Sequence, residues 1–176
     1  MIKRCEPEDL AEVHAIINDA ATAYRGVIPA DRWHEPYMSR DELERECDAG
    51  VEFFGYYDGA SLAGVMGLQN VKGGDVALVR HAYTRTASQG KGIGDKLLTH
   101  VKAGANRPLL VGTWRAATWA IRFYEARGFT LVDETTKVDL LRRYWSIPDR
   151  QVEESVVLAD ERWLQRARVE QRPQAR

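Results

Sequence analysis

The chain has 176 residues, 44% of them hydrophobic and 29% charged, which is the size and apolar content of one domain with a core of its own. Its 25 Lys and Arg nearly cancel its 26 Asp and Glu, which excludes the basicity of a sequence-independent nucleic-acid binder and the charge skew of a disordered chain. No apolar run approaches the ~20 residues that cross a bilayer, and the start Met1-Ile2-Lys3-Arg4-Cys5-Glu6-Pro7 lacks the apolar stretch of a secretion signal, so a cytoplasmic protein with no membrane partner is expected.

In chain order, Ile2 to Cys5 reads as a strand, and Pro7 with Glu8 and Asp9 opens a helix carrying Leu10, Val13, Ile17, Ala20 and Tyr24 at helical spacing. An aromatic-rich loop with Trp33, His34, Glu35 and Tyr37 leads to a short polar helix from Asp41 to Asp48. Three β-type runs follow, Val51 to Tyr57, Leu62 to Leu68 and Val76 to Thr84, the first two joined by the hairpin signal Asp58-Gly59. Ile93, Leu97 and Val101 mark a helix, Pro108 to Thr113 a buried strand, and Ala116 to Arg127 a helix closed by Gly128. Phe129 to Val132 and Glu154 to Ala159 read as closing strands around a helix marked by Val138, Leu141 and Trp145. Asp160 to Arg176 loses periodicity after Leu164, and its end is expected to be disordered. Cys5 and Cys47 have no zinc-ligand spacing and are too few for a disulfide framework, so no metal is expected and both thiols read as structural.

The most informative segment is Gln89-Gly90-Lys91-Gly92-Ile93-Gly94, between a strand and a helix. Alternate glycines admit left-handed backbone and let a ligand approach the main chain, while the first amides of a helix form a positive pole, a combination that suits phosphate. The spacing fits neither a Walker loop, since Gly92 follows Lys91, nor a dinucleotide fingerprint, since Asp95 stands at its third glycine.

Gln89-x-x-Gly92-x-Gly94 in this setting resembles the Gln/Arg-x-x-Gly-x-Gly/Ala signature of the GNAT acetyltransferase superfamily. Downstream, Ala120-Ile121-Arg122-Phe123-Tyr124-Glu125-Ala126-Arg127-Gly128-Phe129 is similar to that family's Ala-x-x-Phe-Tyr-Glu-x-x-Gly-Phe segment. The resemblance runs to about residue 160 and leaves 161–176 as a tail. It implies an α/β (α+β) domain with a mixed, mostly antiparallel central sheet flanked by helices and a parallel, splayed pair of central strands.

The function so implied is transfer of an acetyl group from acetyl-CoA to a primary amine of a small molecule or peptide, by direct attack on the thioester. By the same resemblance, amides of Gln89, Gly90, Lys91, Gly92, Ile93 and Gly94 hold the pyrophosphate, and pantetheine pairs with the main chain of Ala82, Tyr83 and Thr84. Tyr124 lies against the cofactor and protonates its sulfur. Ala117 departs from the family's frequent Asn on the pantetheine, with Thr118 beside it as a substitute. Arg80, Arg85, Lys91, Lys96, Lys102 and Arg107 against Asp95 give a local charge of +5 that suits a polyanionic cofactor.

The base that takes the amine proton is less determined. His81, beside the thioester-binding stretch, is the first candidate, but strand alternation leaves open whether it faces the acyl group or the core. Glu52, His34 and Glu35 are secondary. Trp33, His34, Glu35 and Tyr37 are expected to wall the acceptor pocket. Eight carboxylates against three arginines from Asp31 to Glu52 suit a cationic acceptor or a solvated face. A quiet acyl-CoA sensor or partner-binding domain is the alternative to an enzyme, and the oligomeric state, a homodimer included, stays open.

Overall fold

The computed structural model describes residues 1–170. β1 (Ile2–Arg4) leads through a 3-10 turn to α1 (Leu10–Ala21), and α2 (Arg40–Asp48) precedes β2 (Val51–Asp58), β3 (Ser61–Asn70) and β4 (Ala77–Thr84). Then come α3 (Ile93–Gly104), β5 (Leu109–Trp114), α4 (Thr118–Glu125), β6 (Phe129–Leu131), α5 (Glu134–Tyr144), α6 (Asp149–Glu153), β7 (Ser155–Asp160) and α7 (Glu161–Glu170). The seven strands form one sheet in the order β1-β2-β3-β4-β5-β7-β6, antiparallel throughout except for the parallel pair β4-β5. The mixed, mostly antiparallel architecture expected from the sequence is therefore present.

Both faces of the sheet are covered. Alternation along β2 sends Val51, Phe53 and Tyr57 to one side, where they meet Val13, Ile16 and Ile17 of α1 and Leu43 of α2. Val79, Val111 and Leu158 point the other way, onto Leu97, Leu98 and Val101 of α3. Leu78, Leu110 and Val157 pack with Leu140 and Leu141 of α5. Local signals agree with these elements: the Ser39 hydroxyl accepts from the Glu42 amide to cap α2, Asp133 accepts from Thr136 to cap α5, and Gly59 turns the β2-β3 hairpin at φ 60°.

Two features depart from the sequence reading. The stretch expected to fray continues after β7 as α7 through Glu170, because Trp163 and Leu164 pack against the α5 cluster and Asp160 caps its start by accepting from the Trp163 amide at 2.9 Å. Residues 171–176, where disorder was also expected, lie outside the described residues. The short helix α6 was not anticipated, since Val152 is its one buried side chain. Cys5 and Cys47 are both free, and burial pushes the Cys5 thiol up to about 11, which makes it unreactive at neutral pH. Among the described residues no helix is long and apolar enough to cross a membrane, and no cluster of metal-ligating side chains occurs.

Candidate active site

The site is built on the place where the central strands part. β4 and β5 pair only through Ala77/Leu109, Leu78/Leu110 and Val79/Val111. Beyond Val79, β4 keeps its bonds to β3 as far as Thr84 but leaves its other edge open, while β5 turns to β7. A bulge sharpens the divergence: Gly67 opposes Arg80 and Val65 opposes Tyr83, so Met66 alone faces both His81 and Ala82. His81 takes the left-handed conformation there, at φ 49°, which is uncommon for a residue with a side chain.

The bulge changes which way side chains point. Arg80 and His81 are consecutive, yet both reach Glu46 of α2, at 2.6 Å and 3.0 Å. Simple alternation, on which the orientation of His81 had been left open, does not survive the extra residue. Burial works to raise the Glu46 carboxyl, but the His81 hydrogen bond and the Arg80 charge outweigh it and hold the pKa below the ordinary carboxylate range. A carboxylate held down in this way stabilises the fold above its unfolded pKa and loses that contribution as pH falls through the folded one. Glu46→Gln is therefore expected to cost about 1–3 kcal/mol at neutral pH, with the gap from the parent narrowing as pH falls below the ordinary carboxylate range, as read by urea unfolding across that range.

On the α3 side of the splay lies a groove of about 640 Å³. Gly92 caps α3 in the left-handed region at φ 72°, with no side chain bonded to the cap. The Lys96 amide makes the first helical bond, to the Gly92 carbonyl at 3.1 Å, so the amides of Ile93, Gly94 and Asp95 have no acceptor within the helix. Gly90 is also left-handed, at φ 77°, and no atom lies within 4 Å of where a Cβ would stand at either Gly90 or Gly92. Bare amides at a helix N-terminus, reachable over glycine, are a fit for the phosphates of a nucleotide-like cofactor. Val65, Met66, Leu97 and Phe123 give the groove an apolar wall, broken by the Asp95–Arg127 pair, and it ends against Ala82, Tyr83 and Thr84 on the open edge of β4.

A second cavity, of about 160 Å³, opens from the other side of the splay between β4, β5 and the chain around α5 and α6. Both cavities are lined by Tyr24, Ala82, Tyr83, Ala120 and Tyr124, so a molecule in one meets a molecule in the other at these five residues. The Tyr124 ring lies edge-on to Phe123 and Phe129, at 5.1 Å and 5.6 Å, which fixes its direction. Burial first, then the neighbouring Tyr24, pushes the Tyr124 hydroxyl well above its ordinary value of 10.0, so it keeps its proton. Burial likewise raises Tyr24, Tyr37 and Tyr83, whose rings stand around the same point.

Among the residues expected from the sequence, Ala82, Tyr83, Thr84, Gln89, Gly90, Gly92, Ile93, Gly94 and Tyr124 all line the groove. Lys91 does not, and Ala117 lines neither cavity: it is fully buried beside Ile28 and Trp114, and Thr118 does not reach the groove in its place. Of the expected acceptor wall, Tyr37 lines the second cavity, its hydroxyl accepting from Trp114 Nε1 at 2.9 Å, and Trp33 stacks behind it at 5.8 Å. His34 and Glu35 are exposed and line neither cavity: His34 stacks on Tyr37 and bonds the Pro36 carbonyl, and Glu35 pairs with Arg25. Glu52 pairs with Arg4 at the sheet edge.

The charge argument also needs correction. Arg80 is bound to Glu46, Arg85 to Glu12 and the Leu62 carbonyl, Lys102 to the Arg127 carbonyl, and Arg107 to the carbonyls of Val71 and Gly74. Lys96 sits over the Tyr56 ring. Cations close in sequence are thus dispersed in space; Arg127 does line the groove, but it is paired there with Asp95, so the amides that open α3 are its uncompensated positive element. Sequence reading missed Tyr24, Trp119, Phe123, Trp114 and Trp145, all of which line a cavity. Tyr24 had been read as one more member of an apolar helical stripe.

A groove ending at a splayed parallel pair, with a glycine-capped helix at its mouth, is the arrangement of a CoA-type acyltransferase. The family model for the acetyltransferase (GNAT) domain matches residues 6–143, and the chain belongs to that family. No curated protein matches it in sequence. Solved structures share its fold. A GNAT-family acetyltransferase from Staphylococcus aureus is 17% identical with a TM-score of 0.67, over 91% of this chain and 97% of that one. The PaiA N-acetyltransferase of Thermoplasma acidophilum, solved with coenzyme A, is 17% identical with a TM-score of 0.66, over 91% and 97%. The ribosomal-protein-S18-alanine N-acetyltransferase of Escherichia coli is 19% identical with a TM-score of 0.60, over 91% and 92%.

Proposed function

We propose that this protein is a cytoplasmic N-acetyltransferase that moves an acetyl group from acetyl-CoA to a primary amine by direct attack. The observation that carries this reading is the meeting of two cavities at Tyr124 and the open edge of β4. The larger cavity suits the cofactor. Amides of Ile93, Gly94 and Asp95 receive its pyrophosphate, and the outward main-chain groups of Ala82 to Thr84 pair with the peptide-like pantetheine as an added strand would.

In the transfer, the neutral amine enters from the smaller cavity and its nitrogen lone pair attacks the thioester carbon. A main-chain N–H of the splayed β4 segment meets the oxygen as it becomes negative. As the carbon–sulfur bond breaks, the Tyr124 hydroxyl gives its proton to the departing sulfur, leaving CoA as a thiol. His81, whose ring is oriented by Glu46, takes the proton that the amine nitrogen loses, and Tyr124 is reprotonated from solvent. The phenol carries its proton at neutral pH, and because burial holds it above its ordinary value, the transfer must be drawn by the negative charge that develops on sulfur as the carbon–sulfur bond breaks.

Two measurements test the reading. Acetyl-CoA at a hundredfold excess over its Kd should stabilise the protein by ~2.7 kcal/mol, seen as a raised Tm, with NAD and ATP stabilising less because neither carries pantetheine. Free CoA should then be released in a thiol assay with an amine panel. No thermal shift at millimolar acetyl-CoA overturns the cofactor assignment, and binding without turnover of any amine would point instead to an acyl-CoA sensor.

A further inference from the structure

Building on the acetyl-transfer reading, we infer that the acceptor is a compact primary amine with an aromatic or branched apolar body and no second charge. The acceptor cavity measures about 160 Å³, close to the ~150 Å³ of a cavity that holds benzene. Tyr37, Tyr83, Trp114 and Trp145 stand in its wall beside the polar His81 and Gln151, and among the described residues no carboxylate lines it.

The acidic residues that the sequence places before and within β2 are engaged elsewhere. Asp31 is paired with Arg150, Glu35 with Arg25, and Glu52 with Arg4. Glu46 reaches the wall from α2 but is held by both Arg80 and His81. A diamine or polyamine would therefore bring a second ammonium into a small space whose wall offers it no free carboxylate. Ring faces could compensate through cation–π contact, but two of the wall rings each have a face already covered. Tyr37 stacks on Trp33 at 24° between planes, and Tyr24 on Trp119 at 27°.

An amino acid fares no better, because its carboxylate needs a free cation. Arg80 is the one guanidinium on the wall, and it already donates to Gln69 Oε1 at 2.8 Å and to Glu46. A monoamine avoids both penalties: its single nitrogen must be uncharged to react, and its body replaces water against the rings.

The test ranks kcat/KM of the purified full chain with acetyl-CoA for 2-phenylethylamine, isoamylamine, putrescine, spermidine, glutamate and an alanine-led peptide. The two apolar monoamines are expected at least tenfold above the rest. A preference for a polyamine, an amino acid or the peptide overturns this inference and leaves acetyl transfer standing. Failure to acetylate any of them, with acetyl-CoA bound, overturns both.

Gln151→Glu adds one carboxylate to the wall at nearly constant shape. It is expected to raise the putrescine-to-phenylethylamine ratio at least tenfold. An unchanged ratio in a folded variant would show that the missing carboxylate does not set the preference.

Discussion

Tyr124→Phe is expected to keep CoA affinity within about threefold and to lower kcat by roughly 10² or more, the effect of losing one general acid. The ring is what the fold uses: it lies edge-on between Phe123 and Phe129, and Phe keeps those contacts. Among the described residues no protein group hydrogen-bonds to the hydroxyl, so its removal strands no donor or acceptor there. What is lost is the proton for the departing sulfur, which water replaces only in part. The decisive comparison is of kcat and KM measured separately, with single-turnover rates to confirm that chemistry limits. An unchanged single-turnover rate would make Tyr124 a packing residue.

Gly92→Val is expected to weaken CoA binding at least tenfold, equivalent to ~1.4 kcal/mol, in a protein that still folds. At φ 72° a β-branched residue is strained, and relief of that strain swings the first amides of α3 out of line. Nothing lies within 4 Å of the new Cβ, so the added side chain occupies open space over the helix end where the phosphates approach, without clashing with the core. Gly59→Val is the control, since it carries comparable strain at φ 60° in the distant β2-β3 hairpin with equally open space. Calorimetry with CoA separates the two: equal affinity in the Gly92 and Gly59 variants would reduce the glycine turn to a turn.

Most of the fold was legible because local signals and burial point the same way in its elements. The Asp58-Gly59 turn, the apolar stripe of α3 and the apolar run of β5 each carry their own pattern. The groove was legible for the same reason, since a glycine-capped helix start is a property of contiguous residues. The acceptor side was legible only at Tyr37, because the rest of its aromatic wall comes from Tyr24, Trp114 and Trp145, which lie far apart in sequence and carry no shared local pattern. The bulge at His81 had no signal either. Histidine tolerates left-handed backbone better than most residues, but nothing in the local sequence calls for it, and the contact with Glu46 and the opposition of two residues to Met66 hold it there. Charge was misread by the reverse error, in which neighbours along the chain were taken for neighbours in space.

The position of β7 bears on how the molecule is made. Later in the chain than β6, it nonetheless lies between β6 and β5, pairing with β5 from Leu110 to Trp114 and with β6 from Phe129 to Leu131. Until residues 155–160 have left the ribosome, β5 presents an apolar edge with its hydrogen-bonding groups unanswered, and β6 has no strand to join. The nascent chain thus carries an unpaired edge while the stretch between Trp114 and Ser155 is being made. A fragment ending at residue 143, where the family match stops, would keep that edge permanently and so be prone to aggregate. Soluble yield then depends on how long the ribosome or a chaperone shields β5 before its partner arrives.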